Sequence, residues 1–389
     1  VASLTSSLRV GEFRALWGAE LLSLAGDQLA RVAVAVLVFG RTGSAGWAAF
    51  AYALTFLPAV VGGVVLSWPA DRYRRRTVLV VADVVRAGLV AGMALPGVPL
   101  WVLCVLLTGV VLAGAPFTAA QGALLPEVLP GELYQRGLAV RQVTSQTVQL
   151  VGFGAGGLLA AASPSVALGA DAATFGLSAL ILRLGLTDRP KPRPTTRASG
   201  NAAIAHVFAD PRRRVLLLLA WNVGWFVVPE ALAAPYAAAL GSGPAAVGLL
   251  MAADPLGSVL GAWALVRFVP APVRDRLIGP LAVAAGVPLI LCLVAPGLPA
   301  TLALWALSGS ASTAYLLKTQ ATFVRATPDA ERGRAIGFAA SGLLAAQGVT
   351  VLAGGVLADL MSPPQAVAAA GGIGAACAAV GAVAWKRLS

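Results

Sequence analysis

The sequence predicts an all-α membrane protein of twelve spanning helices arranged as two pseudo-symmetric six-helix bundles. Apolar residues make up 58% of the 389 positions and charged residues only 11%, against roughly 25% charged in ordinary soluble domains. Apolar runs of about 18 or more residues recur from end to end, each long enough to cross about 30 Å of hydrocarbon. The 28 Lys and Arg residues gather in alternate connections between those runs. Length alone would allow two or three soluble domains; the composition excludes them.

Gly, Pro and charge breaks delimit the runs. Spans 1 to 6 fall near 14–40, 45–67, 77–95, 98–123, 137–161 and 164–186. Spans 7 to 12 fall near 213–239, 244–268, 276–296, 299–323, 335–360 and 365–385. With the N-terminus inside, the tail, the loops 68–77, 124–136, 183–214, 267–276 and 325–334, and the C-terminus hold 23 of the cations. The opposite loops hold one, Arg41, and four (Arg31, Arg86, Arg141, Lys318) lie within spans. Cationic loops stay on the cytoplasmic face, so both termini are expected there, in a bacterial inner membrane. An odd number of spans would scramble the bias.

The stretch 187–214 reads as a cytoplasmic linker between an N-terminal bundle, 1–186, and a C-terminal bundle, 215–389. Its Pro190-Lys-Pro-Arg-Pro194 segment is extended and stiff. The halves echo one another. Gln121, Pro126-Glu127, Glu132 and Arg136-Gly137 parallel Gln320, Pro328-Asp329, Glu331 and Arg334-Ala-Ile-Gly337. Glycine groups follow each, Gly152–Gly157 and Gly348 to Gly355. Parallel six-helix repeats place a cavity between halves near the bilayer midplane.

Several function classes drop out. A net charge of +12 follows from positive-inside loops, and no basic stretch carries the interleaved aromatics of a nucleic-acid reader. Cys104, Cys292 and Cys377 lie far apart inside apolar runs, as packing residues. His206, the one histidine, sits in the linker with no second ligand beside it, so no metal site is expected. No Walker loop and no nucleophile–base set is present, which argues against ATP as energy source and against an enzyme. No cofactor is expected, and no cleavable signal sequence is legible. The lipid bilayer, a small-molecule substrate and protons are the expected partners of a monomer.

The loop Trp68–Thr77 also carries a resemblance. Asp71-Arg-Tyr-Arg-Arg-Arg76 resembles the Asp-Arg-x-Gly-Arg-Arg signature of the major facilitator superfamily. Gly26-Asp27, Ala82-Asp83-Val-Val-Arg86, Leu124-Leu-Pro-Glu127 and Glu331-Arg-Gly-Arg334 extend the match. Together they are similar to the branch of enterobactin exporters and macrolide-efflux proteins. The resemblance implies proton-coupled efflux of amphipathic drugs or natural products by alternating access, with siderophore export as the nearest rival and a nutrient symporter next. A non-transporting membrane sensor is the reading from another class. Arg74 stands where the signature has glycine, and span 5 lacks the proline of the branch's antiporter motif. The resemblance assigns Asp71, Arg72, Arg75, Arg76, Asp83 and Arg86 to a cytoplasmic gate; a carboxylate at Asp71 would also suit the positive end of span 11.

Ionisable groups inside spans are costly and mark function or a partner. Glu20, Ser23, Asp27 and Arg31 share one face of span 1. Asp27 is a proton-coupling candidate, its plainer alternative being a static pair with Arg31. Asp254, before Pro255 in span 8, has no cation on its own helix; Glu230 and Glu20 complete the acid candidates. Gln142, Gln146 and Gln149 of span 5, Ser312, Tyr315 and Lys318 of span 10, Trp225 and Phe226 of span 7, and Arg31 are candidate cavity residues. Interhelical hydrogen bonding and packing are the plainer alternatives for them. The charge argument is checked by fusions in bacterial cells. A fluorescent protein after Ser389 is expected to fluoresce, and alkaline phosphatase inserted at 41–44 to be active; the reverse pattern overturns the topology.

Overall fold

The structure, a computed structural model, describes residues 4–190, 208, 210–294, 297–328 and 331–388. His206 and Asp329 lie outside the described residues, as does most of the predicted linker. Helices cover each of the twelve predicted runs. Span 1 is Gly11–Thr42, span 3 Arg75–Ala94, span 4 Leu100–Val128, span 5 Glu132–Ala162 and span 6 Pro164–Gly185. Span 8 is Pro244–Phe268, span 10 Leu298–Arg325, span 11 Arg332–Leu360 and span 12 Pro363–Leu388. Ten helical segments among the described residues are long and apolar enough to cross a membrane. The two outside that set are span 5, which is long but carries Arg141 and a row of glutamines, and span 9, Ile278–Val294, which is apolar but shorter.

Spans 2 and 7 are broken where single runs were expected. Span 2 divides into Ala45–Ala53 and Leu57–Val65. Pro58 has no N–H to offer the Leu54 carbonyl, and its ring crowds that carbonyl. The chain tightens there, with Thr55 N donating to Tyr52 O and Phe56 N to Ala53 O, each at 3.0 Å. Span 7 divides into Pro211–Trp221, Gly224–Ala231 and Ala233–Ala239. Asn222 sits in the first break and sends Nδ2 to the Gly374 carbonyl of span 12 at 3.0 Å. The second break, at Leu232, precedes Pro235. The span also begins inside the stretch read as linker, because Asp210 caps Pro211–Trp221 by accepting from Arg212 N at 2.9 Å. Burial opposes the Asp210 charge, but the Arg212 N–H and the Arg213 guanidinium outweigh it and hold the carboxyl below its ordinary value.

The residues pack into two compact units, Val1–Leu37 with Leu57–Thr196, and Val38–Phe56 with Arg197–Ser389. The first half of span 2 therefore groups with the C-terminal helices and not with its own half of the sequence. In the first unit, span 3 lies along spans 4 and 6. At the end that carries the basic loop, Phe13, Leu16, Leu79, Phe117, Leu125 and Leu182 form one buried cluster.

In the second unit, spans 8 and 10 make the closest approach. A Cβ at Gly257 would lie 1.8 Å from the Ala306 carbonyl oxygen, and one at Gly261 2.2 Å from that of Ser310. Small residues let backbones meet where lipid gives helices no hydrophobic reason to associate. The Ala45–Ala53 helix follows a turn at Gly43, whose φ of 63° suits glycine. Its N-terminus receives a carboxylate from span 11. Asp359 Oδ1 accepts from Gly46 N at 3.0 Å and from Ser44 Oγ at 3.2 Å. A carboxylate at a helix N-terminus is worth about 0.3–1 kcal/mol. Asp359→Asn should therefore lower the melting temperature of the purified chain slightly but measurably. An unchanged value would show that this cap carries no stability.

Candidate functional site

The first unit encloses a charge cluster built from spans 1, 3 and 6. Asp27 lies near the middle of span 1, and its carboxylate receives Arg86 Nη2 of span 3 at 3.0 and 3.1 Å. A cation from another helix thus joins the one expected a turn away, Arg31, in the neighbourhood of Asp27. Arg86 Nη1 reaches Asp83 Oδ1 at 3.4 Å, and the other Asp83 oxygen accepts from Ser178 Oγ of span 6 at 2.5 Å. Ser23 of span 1 donates in turn to Ser178, at 3.3 Å. The guanidinium sits over the Phe175 ring, 3.9 Å from its centroid, a favourable cation–π placement in a dry site. Asp83 and Arg86 therefore belong to this interior cluster. Asp83 stands seven residues beyond Arg76, about 10 Å along the helix.

A third carboxyl completes the cluster. Asp171 of span 6 is 1% exposed; Thr174 Oγ1 lies 3.4 Å from its Oδ1, and its Oδ2 is buried without a partner. Its carboxyl and Thr174 press on the bare backbone of span 1. A Cβ at Gly26 would lie 2.1 Å from Asp171 Oδ1 and 2.2 Å from Thr174 Oγ1. Sequence reasoning missed Asp171. The rule that picked Asp254, an acid inside an apolar run, would have found it.

Glu20 is held elsewhere. Arg141 of span 5 binds it with two hydrogen bonds, Nε to Oε2 at 2.5 Å and Nη2 to Oε1 at 2.7 Å. The same Nη2 also donates to Gln121 Oε1 of span 4, at 2.9 Å. These bonds tie spans 1, 4 and 5 together. Gln146 and Gln149 are partly buried and Gln142 exposed on the same helix.

The basic loop is fastened to the first unit at several points. Arg74 pairs with Asp188, Arg75 with Glu127, and Arg76 donates to the Arg183 carbonyl at the end of span 6. Arg72 lies over the Trp68 ring, 6.0 Å away, and Asp71 is exposed. Arg189, just past span 6, is anchored to Glu12 at 2.7 and 2.8 Å.

In the second unit, Glu230 of span 7 is buried and accepts from Tyr52 Oη at 2.5 Å. Asp254 of span 8 lies close enough for the two carboxylates to repel. Gly309 gives Asp254 its room: a Cβ there would lie 2.5 Å from Oδ1. The span 10 candidates are used inside the bundle. Ser312 Oγ donates to the Gly309 carbonyl at 3.0 Å, and buried Tyr315 donates to the Leu219 carbonyl at 3.3 Å. Phe226 is buried edge-on against Tyr315, whereas Trp225 and Lys318 are partly exposed. Ser312, Tyr315 and Phe226 are thus buried and engaged with neighbouring groups inside the second unit.

A family model of the Major Facilitator Superfamily matches residues 16–232. The multidrug efflux pump Tap of Mycobacterium tuberculosis is 32% identical over 193 residues, covering 47% of this chain and 46% of Tap; its Mycobacterium bovis counterpart matches equally. The chain spans about half the length of the curated relatives it matches. A bacterial homologue of the iron transporter ferroportin, solved in an inward-facing state, superposes with a TM-score of 0.72 at 16% identity over 98% of each chain. The nucleoside transporter NupG gives 0.71 at 13% identity over 96% of this chain and 98% of its own. At such identities the likeness shows the fold alone.

Two substitutions test the cluster's geometry. Gly26→Ala should destabilise the chain by about 1–3 kcal/mol, as overpacking does, while Gly18→Ala, with nothing within 4 Å of the new methyl, should not. Equal melting temperatures would mean that span 6 does not seat on Gly26. Glu20→Gln should lower stability by about 3–5 kcal/mol by stranding Arg141, readable in the same melts.

Proposed function

The chain belongs to the major facilitator superfamily, and on that premise we propose that it is a secondary active transporter exporting small amphipathic drugs or natural products in exchange for protons. The observation that carries the reading is the gathering of three span carboxyls about one guanidinium in the first unit. Asp27, Asp83 and Asp171 surround Arg86. Placing one ionised Asp at a helix centre costs about 2.5–3.5 kcal/mol on insertion scales. A cluster made only for stability would do better without the extra acids. A proton carrier needs them, because a carboxyl can cross between charged and neutral states as its neighbours change. Glu230 and Asp254 supply a second such pair.

The likeness to Tap supports an efflux direction and a drug-like cargo, and the motif set supports the enterobactin-exporter and macrolide-efflux branch. Between a siderophore and an uncharged or cationic amphipath, the ion pairs favour the latter. An anionic cargo wants several available cations, and of the candidates Arg31, Arg141 and Lys318, Arg141 is bound to Glu20. In this reading the chain works as a monomer in the bacterial cytoplasmic membrane, both ends inside, by alternating access of its two bundles. The Asp71–Arg76 loop serves as the cytoplasmic gate.

Proteoliposomes with an imposed proton gradient and a panel of cationic dyes and macrolides test the proposal. Gradient-driven movement of at least one compound is expected, reversing when the gradient is reversed. Asp27→Asn combined with Asp254→Asn should reduce that movement to the rate of empty vesicles; undiminished transport in the double variant would remove the coupling assignment.

A further inference from the structure

We propose that Asp171 binds a proton: of the three carboxyls around Arg86 it is the one that is protonated, and it supplies the exchangeable proton of the first unit. The use of that proton rests on the transport reading above; its binding rests on geometry alone.

One guanidinium serves three carboxyls here, and its bonds go to two of them. Asp27 receives two hydrogen bonds from Arg86 Nη2, and its side chain is 30% exposed. Asp83 has a donor on each oxygen, Arg86 Nη1 and Ser178 Oγ. Asp171 has neither advantage. Its one neighbouring donor, Thr174 Oγ1, lies 2.7 Å from the Asp171 carbonyl oxygen and only 3.4 Å from the carboxyl. Its Oδ2 is buried with no partner at all. A carboxylate in a dry interior needs its charge compensated and its lone pairs satisfied. A neutral carboxyl needs much less, and a proton on Asp171 removes the surplus negative charge where it is least tolerated.

Two further arginines sit on the neighbouring spans, Arg31 of span 1, one turn beyond Asp27, and Arg141 of span 5. The charged groups acting on Asp171 are Asp27 of span 1 and Arg86 of span 3. Asp83 of span 3 also shares that arginine, and Arg141 of span 5 is held by Glu20 and Gln121. Asp27 is the least buried of the three, and the proposed path of the proton runs past it. When Asp171 gives up the proton, a new negative charge faces Arg86 and competes with Asp27 for it. This links proton release to loosening of the span 1–span 3 ion pair.

Infrared spectra of the purified full chain in lipid vesicles, recorded at neutral pH in H2O and D2O, read the protonated carboxyl directly. The wild type is expected to show its carbonyl stretch, shifted on deuteration. Asp171→Asn should lose one carboxyl's share of that band, and Asp171→Glu should move the band without deleting it. The glutamate variant keeps the test decisive should the asparagine variant fail to fold. An absent wild-type band, a band unchanged in both variants, or a band that vanishes when sodium replaces choline at constant pH overturns the proposal. The last outcome would assign the site to an alkali cation. A wild type with the band but no gradient-driven transport would instead overturn the exporter reading and leave the proton site standing.

Discussion

The first unit depends on the ion pair between Asp27 and Arg86. Inside the spans, either charge alone would be expensive; together, at 3.0 Å, each makes the other tolerable. The pair joins the middle of span 1 to the middle of span 3. The Phe175 ring beneath the guanidinium and the Ser23–Ser178–Asp83 chain draw span 6 into the same knot. Gly26, beside Asp27, lets span 6 approach closely enough to deliver Asp171. The Gly26-Asp27 dipeptide thus has two jobs at one place: it supplies the anion and vacates the space for its neighbour.

The second unit solves helix association with fewer charges. Spans 8 and 10 meet backbone to backbone at Gly257 and Gly261, and hydroxyls on span 10 go to carbonyls of neighbouring turns and helices. Its acids sit where the chain is broken or kinked. Glu230 lies in the segmented span 7 and Asp254 precedes Pro255, so carbonyls released by proline are near both. The two halves of the sequence carry related motifs, yet the ionic density is unequal: the first unit holds the arginine-centred cluster and the second a carboxylate pair.

Most of the fold was legible because hydropathy is a strong signal in a solvent of uniform polarity. Twelve apolar runs became helices. The breaks in spans 2 and 7 have causes visible in the chain, Pro58 and Pro235, but a run of alanine and valine conceals them from a hydropathy count. The site was legible only in its single members. Asp27, Asp83, Arg86, Glu20 and Arg141 stand out as charges in spans; which of them pair does not. Helical periodicity points Asp27 toward Arg31 and is silent on Arg86, 59 residues on, which the structure brings to it. Glu20 finds Arg141 at a separation of 121 residues. Such pairings are properties of helix packing, which no local spacing encodes. Ser312, Tyr315 and Phe226 illustrate the converse: a polar or aromatic stripe at helical spacing reads equally as a cavity wall and as an interhelical seam, and the spacing alone does not tell that all three are buried.

The central claim is that one arginine compensates a cluster holding more carboxyls than it can neutralise. The melting temperatures of wild type and Arg86→Gln, compared across pH in the same lipid, test it most directly. Removing the guanidinium strands the carboxylates only while they are ionised, and stability follows the difference in bound protons between folded and unfolded chains. The gap between wild type and variant should therefore be widest at alkaline pH and close progressively on acidification. A gap that stays constant across the same range would contradict the account.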